Sequence, residues 1–175
     1  EVVSVYVPVI AESGCTGCGD CSSFCEFNAL AVTGKRVLIF PELCHGCGGC
    51  ALVCSRKIIR AGTRPIGALF VQRYQSVELI TGRLNIGEAM APPLIRAVKE
   101  HMAPNGLTII DSPPGTSCSM IAAVKGSDFV LLVTEPTPFG LHDLQLAVET
   151  VRKLGLPFAV VVNRSNSGDA SVNDY

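Results

Sequence analysis

Two stretches decide the reading: CTGCGDCSSFC at residues 15–25 and CHGCGGCALVC at residues 44–54. Each has the spacing C-x2-C-x2-C-x3-C. Cys15, Cys18, Cys21 and Cys25 map onto Cys44, Cys47, Cys50 and Cys54 with a constant offset of 29 (44 − 15 = 54 − 25 = 29). The pairs Ala29-Leu30 and Ile58-Ile59, four and five places after each fourth cysteine, correspond as well, so the segment is an internal duplication. Eight of the nine cysteines lie in these stretches. Thiols two or three residues apart are closer than most disulfide frameworks place them and are typical of metal ligation.

Three cysteines at this spacing wrap a loop around one face of a cuboidal cluster, and the fourth points away from it. In two-cluster ferredoxins the fourth cysteine ligates the other cluster. The spacing therefore predicts two [4Fe–4S] clusters, one on Cys15, Cys18, Cys21 and Cys54, the other on Cys44, Cys47, Cys50 and Cys25. Gly17, Gly19, Gly46, Gly48 and Gly49 are expected to take φ > 0 and to bring backbone N–H groups toward the sulfides. Phe24, Phe27, Leu43 and Val53 are expected as apolar packing around the clusters. His45, between two ligands, is a tuning group or an exposed loop residue. Zinc is the competing metal, but structural zinc sites pair two CxxC knuckles into one tetrahedral centre, which the triple-cysteine loops do not resemble. The usual Pro after the fourth cysteine is replaced by Glu26 and Ser55, neither position being a ligand.

Composition narrows the rest. The chain has 175 residues, 48% of them hydrophobic and 17% charged, with net charge −1. That supports a real core and no disorder, and offers no basic field for nucleic acid. No apolar run suggests a membrane span or a signal peptide, so a cytoplasmic location is expected. Both ends, Glu1 and Tyr175, read as cut from something longer.

Outside the cysteines, VVSVYVPVI (2–10) alternates as a strand, and VLIF (37–40) is strand-like. Residues 66–87 contain two strand runs, with turns expected at 75–76 and at Gly82-Arg83. LIRAVKEHM follows Pro92 and Pro93, which suit a first helical turn. From 107 the chain alternates: strand GLTIID, helix SCSMIAAVKG, strand DFVLLVTE, helix GLHDLQLAVETVRKLG, strand PFAVVVNR. Apolar strands separated by helices predict a parallel sheet covered on both faces. Asp111, at the carboxyl end of the first of these strands and before a Pro-Pro-Gly turn, is placed to hold Mg²⁺-bound water beside a phosphate, although a lone Asp there is also an ordinary turn or cap residue. Gly115 could offer its N–H to a phosphate, and Asn163 could read an adenine edge or simply cap a turn. Cys118 is the leftover cysteine, at a helix start, as a reactive thiol, a cluster-related ligand or a small buried hydrophobe. His142 and Asp143 are expected on the surface.

The blocks DSPPGTSC, LLVTEPTPFGLHDLQLAVE and VVNR, with FPELCHGCGGC (40–50) and GRLNIGEAMAPPLIRAVK (82–99), resemble the MinD/Mrp-type P-loop ATPase superfamily, in the subgroup with an inserted ferredoxin domain. The resemblance implies an α/β fold: a partial parallel-sheet, P-loop NTPase-like domain (1–10 and 63–175) carrying an α+β bacterial-ferredoxin-like insertion (11–62). It also implies ATP and Mg²⁺ as cofactors, ATP hydrolysis by the intact protein, and a homodimer or a dimer with a paralogue. By position, Asp111 matches the Walker B aspartate, and Pro113, Pro114 and Gly115 the γ-phosphate switch. Glu135, Pro136 and Thr137 match the loop near the nucleotide, and Asn163 the adenine reader. No phosphate-cradling G-x-x-x-x-G-K-[ST] loop, nor its K-G-G-x-G-K-[ST] variant, occurs in the 175 residues, so this chain alone is expected to bind ATP weakly or not at all. The expected partner is a redox protein or an apo-acceptor of clusters. An electron carrier on a degenerate scaffold and a cluster carrier stay open beside the ATPase. Corrinoid amidation does not fit, because Cys118 has no evident His partner.

Overall fold

The computed structural model describes residues 1–166 and 171–175 and divides into two compact units, Glu1–His101 and Met102–Tyr175. In the first unit β1 (Val2–Ile10) is followed by α1 (Asp20–Ser23), β2 (Leu30–Thr33), β3 (Arg36–Ile39) and α2 (Gly49–Val53). Then come β4 (Ile59–Tyr74), β5 (Val77–Leu84) and α3 (Pro92–Glu100). The boundary expected between 62 and 63 falls inside β4.

The duplication in sequence is a duplication in backbone. A 3-10 turn precedes each cysteine loop, at Glu12–Gly14 and Pro41–Leu43. Leu30 pairs with Ile39 and Thr33 with Arg36 in the β2–β3 hairpin. Adding 29 to one partner and subtracting 29 from the other gives Ile59 with Ile10 and Gly62 with Val7, the observed register of β4 on β1. Ala11 N–H donates to Ile58 O at 3.2 Å, and Phe40 N–H to Ala29 O at 2.9 Å, which are counterparts under the same operation. The strand before each half therefore pairs with the strand after the other, and the two halves enclose one core of Cys21, Leu30, Cys50 and Ile59.

The symmetry ends at the hairpin. β2 and β3 turn back at once, whereas β1 and β4 run on and β5 joins them as an antiparallel three-stranded sheet in the order β1-β4-β5. A register shift between Val3 and Ser4 leaves Ile66 as the extra residue of a bulge. Ile66 is fully buried and forms a second core with Val5 and Leu94 of α3. The β4–β5 turn falls at Gln75-Ser76 as expected, with Gln75 at φ 53°. The second expected turn, Gly82-Arg83, is instead inside β5. A Cβ on Gly82 would come within 2.9 Å of Leu94 and Val98, so the glycine there lets α3 lie close to the strand.

In the second unit, α4 (Cys118–Val124), β6 (Val130–Thr134), α5 (Pro138–Lys153), β7 (Phe158–Val162) and α6 (Ser171–Asp174) follow in order. β6 and β7 pair in parallel, from Val130 with Phe158 to Thr134 with Val162, so the β6–α5–β7 crossover is as the sequence predicts. Thr137 caps α5 by accepting from Gly140 N–H at 3.0 Å. Gly155, φ 68°, follows its last turn. Met120, Val124, Val130 and Val151 are buried together, as are Leu144, Val148 and Val172.

Two expectations fail here. GLTIID forms no strand: residues 107–111 are irregular, and Leu107 and Ile109 are exposed. A strand needs a neighbour for its N–H and C=O groups, and among the described residues no strand pairs with this run. Nor is the sheet covered on both faces. The helices take one side, while Leu131 (56%) and Val133 (64%) stay open on the other. No helix is long and apolar enough to cross a membrane among the described residues.

Candidate metal centre

All nine cysteines are free thiols. Cys15, Cys18, Cys21 and Cys54 line a single cavity together with Gly17, Gly19 and the apolar side chains of Ile10, Val32, Val37 and Ile59. Cys25, from the same motif as the first three, is not among its walls. In the other loop, the Cys44 thiol approaches the Tyr6 carbonyl of β1 at 3.9 Å and Gly46 lies against the Tyr6 backbone; burial first, and after it the neighbouring Cys50, Cys44 and Cys47, push the Tyr6 hydroxyl up. Cys25 and Cys54 pack on the core that contains Cys21 and Cys50.

The backbone between ligands is built for close approach. Gly17, Gly19, Gly46 and Gly48 have φ of 73°, 87°, 69° and 73°, as the sequence predicts. Gly49 does not take positive φ. It opens α2, and a Cβ there would run into the Phe24 ring, so its role is contact and not conformation. Burial pushes the Cys21 and Cys50 thiols up. Cys54 is held down, first by the Ile58 N–H and then by those of neighbouring residues against a smaller burial effect. Backbone donors that favour thiolate suit a ligand to a positively charged cluster.

Among the described residues no three His, Cys, Asp or Glu side chains converge on one ion. A single zinc would need four ligands drawn to about 2.3 Å from a point, whereas Cys15, Cys18, Cys21 and Cys54 line a cavity shared with the backbone of Gly17 and Gly19. The apolar surroundings are thinner than the sequence suggests. Phe24 (51%), Phe27 (43%) and Leu43 (49%) are half exposed, because the segment is too short to give every flanking side chain a second layer. Phe27 instead stacks on His45 with ring centroids 3.6 Å apart and planes 8° apart, a pairing that brings together residues following Cys25 and Cys44. Residue spacing alone does not reveal that contact.

These features define an iron–sulfur domain, and comparison agrees. Residues 7–55 match the family model of the 4Fe-4S dicluster domain, so this segment is a 4Fe–4S-binding domain of the electron-transfer type. Over a longer stretch the chain is similar to two proteins of Methanocaldococcus jannaschii, both named as uncharacterized: MJ0579 and MJ0578. MJ0579 is 29% identical over 153 residues, which are 86% of this chain and 56% of the relative. MJ0578 is 33% identical over 152 residues, 86% of this chain and 53% of the relative. The chain thus spans about half the length of these relatives.

The residues singled out for nucleotide chemistry are only partly assembled. Asp111, Pro114 and Gly115 are exposed and Pro113 is half-buried, on an irregular segment and not at the end of a strand. Gly115 has φ 81° with open space around it. Glu135 and Asn163 do lie together at the carboxyl ends of β6 and β7: Arg164 pairs with Glu135 at 3.2 Å, and Asn163 N–H donates to Thr134 O at 2.7 Å. Pro136 is buried beside Thr137 at the start of α5. The Asn163 side-chain oxygen accepts from Arg164 N–H at 3.0 Å, the capping alternative. Cys118 is exposed at the first residue of α4, which overturns its reading as a small buried hydrophobe. His142 and Asp143 are on the surface of α5, as expected.

Proposed function

We propose that this chain carries two [4Fe–4S] clusters and moves single electrons between a low-potential donor and an acceptor protein. One cluster is held by Cys15, Cys18, Cys21 and Cys54, the other by Cys44, Cys47, Cys50 and Cys25. The observation that supports it best is the cavity walled by the first three cysteines of one motif and the fourth of the other. With four thiolates on each cluster no iron position is left open for a substrate, so the chemistry is outer-sphere electron transfer. The test is anaerobic reconstitution of the protein, with iron, zinc and acid-labile sulfide assayed and the reduced state read by EPR. Two clusters' worth of iron and sulfide, with a signal from interacting reduced centres, is the expected result. Zinc filling the thiolates without sulfide refutes it.

A second reading is favoured by the parallel β6–α5–β7 unit, with Glu135, Asn163 and Arg164 at its strand ends. In it, the intact protein is a MinD/Mrp-type ATPase that couples ATP·Mg²⁺ to electron delivery, as a homodimer or with a paralogue. Asp111, Pro113, Pro114 and Gly115 form its phosphate side once the run 107–111 gains a strand neighbour. The rest of the protein covers Leu131 and Val133. Nucleotide binding measured on the full-length protein, with Asp111→Asn as control, tests this reading. No Mg²⁺-dependent binding, or binding indifferent to that substitution, excludes it.

A further inference from the structure

The repeat makes the two cysteine loops near copies, so differences between them stand out. Among the described residues, three buried side-chain nitrogens or oxygens lack a hydrogen-bond partner: the Tyr6 hydroxyl and Nε and Nη2 of Arg64. Tyr6 belongs to the second loop's surroundings, on the strand face it shares with Ile10 and the cysteine core, whereas Arg64 pairs with Val5 on the opposite face. The Cys44 thiol approaches the Tyr6 carbonyl at 3.9 Å, and Gly46 packs on the Tyr6 backbone. In the other half the offset carries both residues to one position, Lys35 (6 + 29 = 64 − 29 = 35), which is exposed in the β2–β3 turn. Gly17 packs on that turn as Gly46 packs on Tyr6. The first loop therefore has no counterpart to the buried Tyr6 donor.

A buried donor left unpaired is costly, and the Tyr6 hydroxyl is such a donor on the side of the cysteine core. What it lacks is an acceptor, and the thiolates and sulfides of a cluster are acceptors. Arg64 answers to Glu88 on the other face, through its Nη1.

We propose that the Tyr6 hydroxyl donates to sulfur of the cluster on Cys44, Cys47, Cys50 and Cys25, and makes it the higher-potential cluster of the pair. The inference rests on the two-cluster reading above. Reduction adds one electron from the external donor to a cluster and makes its sulfur more negative, so donors aimed at sulfur stabilise the reduced form more than the oxidised one. Burial acts the other way, but weakly here. Cys21 and Cys50 are equally buried at 8%, and only Cys44 is more enclosed than its counterpart Cys15. At equilibrium the electron would accordingly reside on the cluster held by Cys44, Cys47, Cys50 and Cys25.

The test is an EPR-monitored reductive titration of the anaerobically reconstituted protein, with iron and sulfide assayed on every sample. Wild type is expected to show two one-electron waves. Tyr6→Phe removes only the hydroxyl and preserves the packing. It is expected to lower the upper wave by about three- to tenfold in the reduction equilibrium, tenfold being about 59 mV, and to leave the lower wave in place. Lys35→Met, the control at the equivalent position, is expected to move neither. Coincident waves in wild type, an upper wave unmoved by Tyr6→Phe, or movement of the lower wave instead overturns the inference. Iron and sulfide for a single cluster in wild type sinks the two-cluster reading itself.

Discussion

Asn28 and Lys57 are the same joint made twice. They lie 29 residues apart, take φ of 51° and 53°, and donate their amides to the carbonyls of Cys25 and Cys54 at 3.1 and 3.0 Å. Each turns the chain after a fourth cysteine so that the following strand can start. Left-handed backbone costs a non-glycine residue about 1–2 kcal/mol, and Asn tolerates it better than Lys. Lys57→Asn is expected to raise stability by a few tenths of a kcal/mol. Lys57→Val is expected to lower it by about 1–2 kcal/mol. Anaerobic urea unfolding of the reconstituted protein checks both.

Exchange of the last ligand between motifs has its own signature. Cys54→Ser and Cys15→Ser should damage the same cluster and leave the same survivor, with one EPR signal and one potential in common. Cys25→Ser and Cys44→Ser should leave the other. If Cys54→Ser instead matches Cys44→Ser, each motif keeps its own four ligands and the assignment is wrong.

The Arg64–Glu88 pair ties β4 to the loop before α3 and is largely shielded, with side-chain exposures of 19% and 4%. The Arg64 hydrogen bond, foremost, holds the Glu88 carboxyl below its usual range, against burial. A lowered carboxylate pKa stabilises the fold above the unfolded value of about 4.3, and that contribution fades as pH falls through the lower folded value. Glu88→Gln is expected to cost about 3 kcal/mol at pH 7 by stranding Arg64. The gap from wild type should hold between pH 7 and pH 5 and narrow only below about pH 4, as measured by urea unfolding across that range.

Ile66 is the bulged residue of β4 and has no exposed surface. Ile66→Ala is expected to cost about 2–5 kcal/mol while leaving iron content unchanged, since its core with Val5 and Leu94 is distinct from the core around Cys21 and Cys50. Loss of iron in step with stability contradicts that separation.

The open side of β6 makes the reverse prediction. Leu131→Lys and Val133→Glu are expected to change the stability of this chain by no more than about 0.5 kcal/mol and to reduce its self-association in light scattering. A cost above about 1 kcal/mol would mean the face is already covered within this chain.

How much of this was legible in the sequence follows from what repeats and what does not. The cysteine spacing and its offset announce the duplicated half, because a metal loop needs fixed ligands at fixed intervals. The strand 2–10 and the helix after Pro92 are legible from alternation and proline placement. The extension of β1 and β4 past the repeat is not, since nothing in the other half corresponds to it, and the Tyr6 donor goes unnoticed with it. Gly82 looks like a turn because a glycine that admits a helix and one that bends a chain are the same letter. The apolar run 107–111 looks like a strand, but a strand also requires a neighbour, and apolar content says nothing about whether one is present. Asn163 at its strand end follows from the alternation of strands and helices and Glu135 from the family resemblance, whereas the Arg164 partner of Glu135 follows from neither.

The pairing of Ile10 with Ile59 has a consequence for how such a unit travels. Forty-eight residues (58 − 11 + 1) leave and rejoin the sheet on adjacent strands, whose spacing is about 5 Å. Together with the ends of β1 and β4 on which it packs, such a body can be spliced into a foreign chain without prising the host apart.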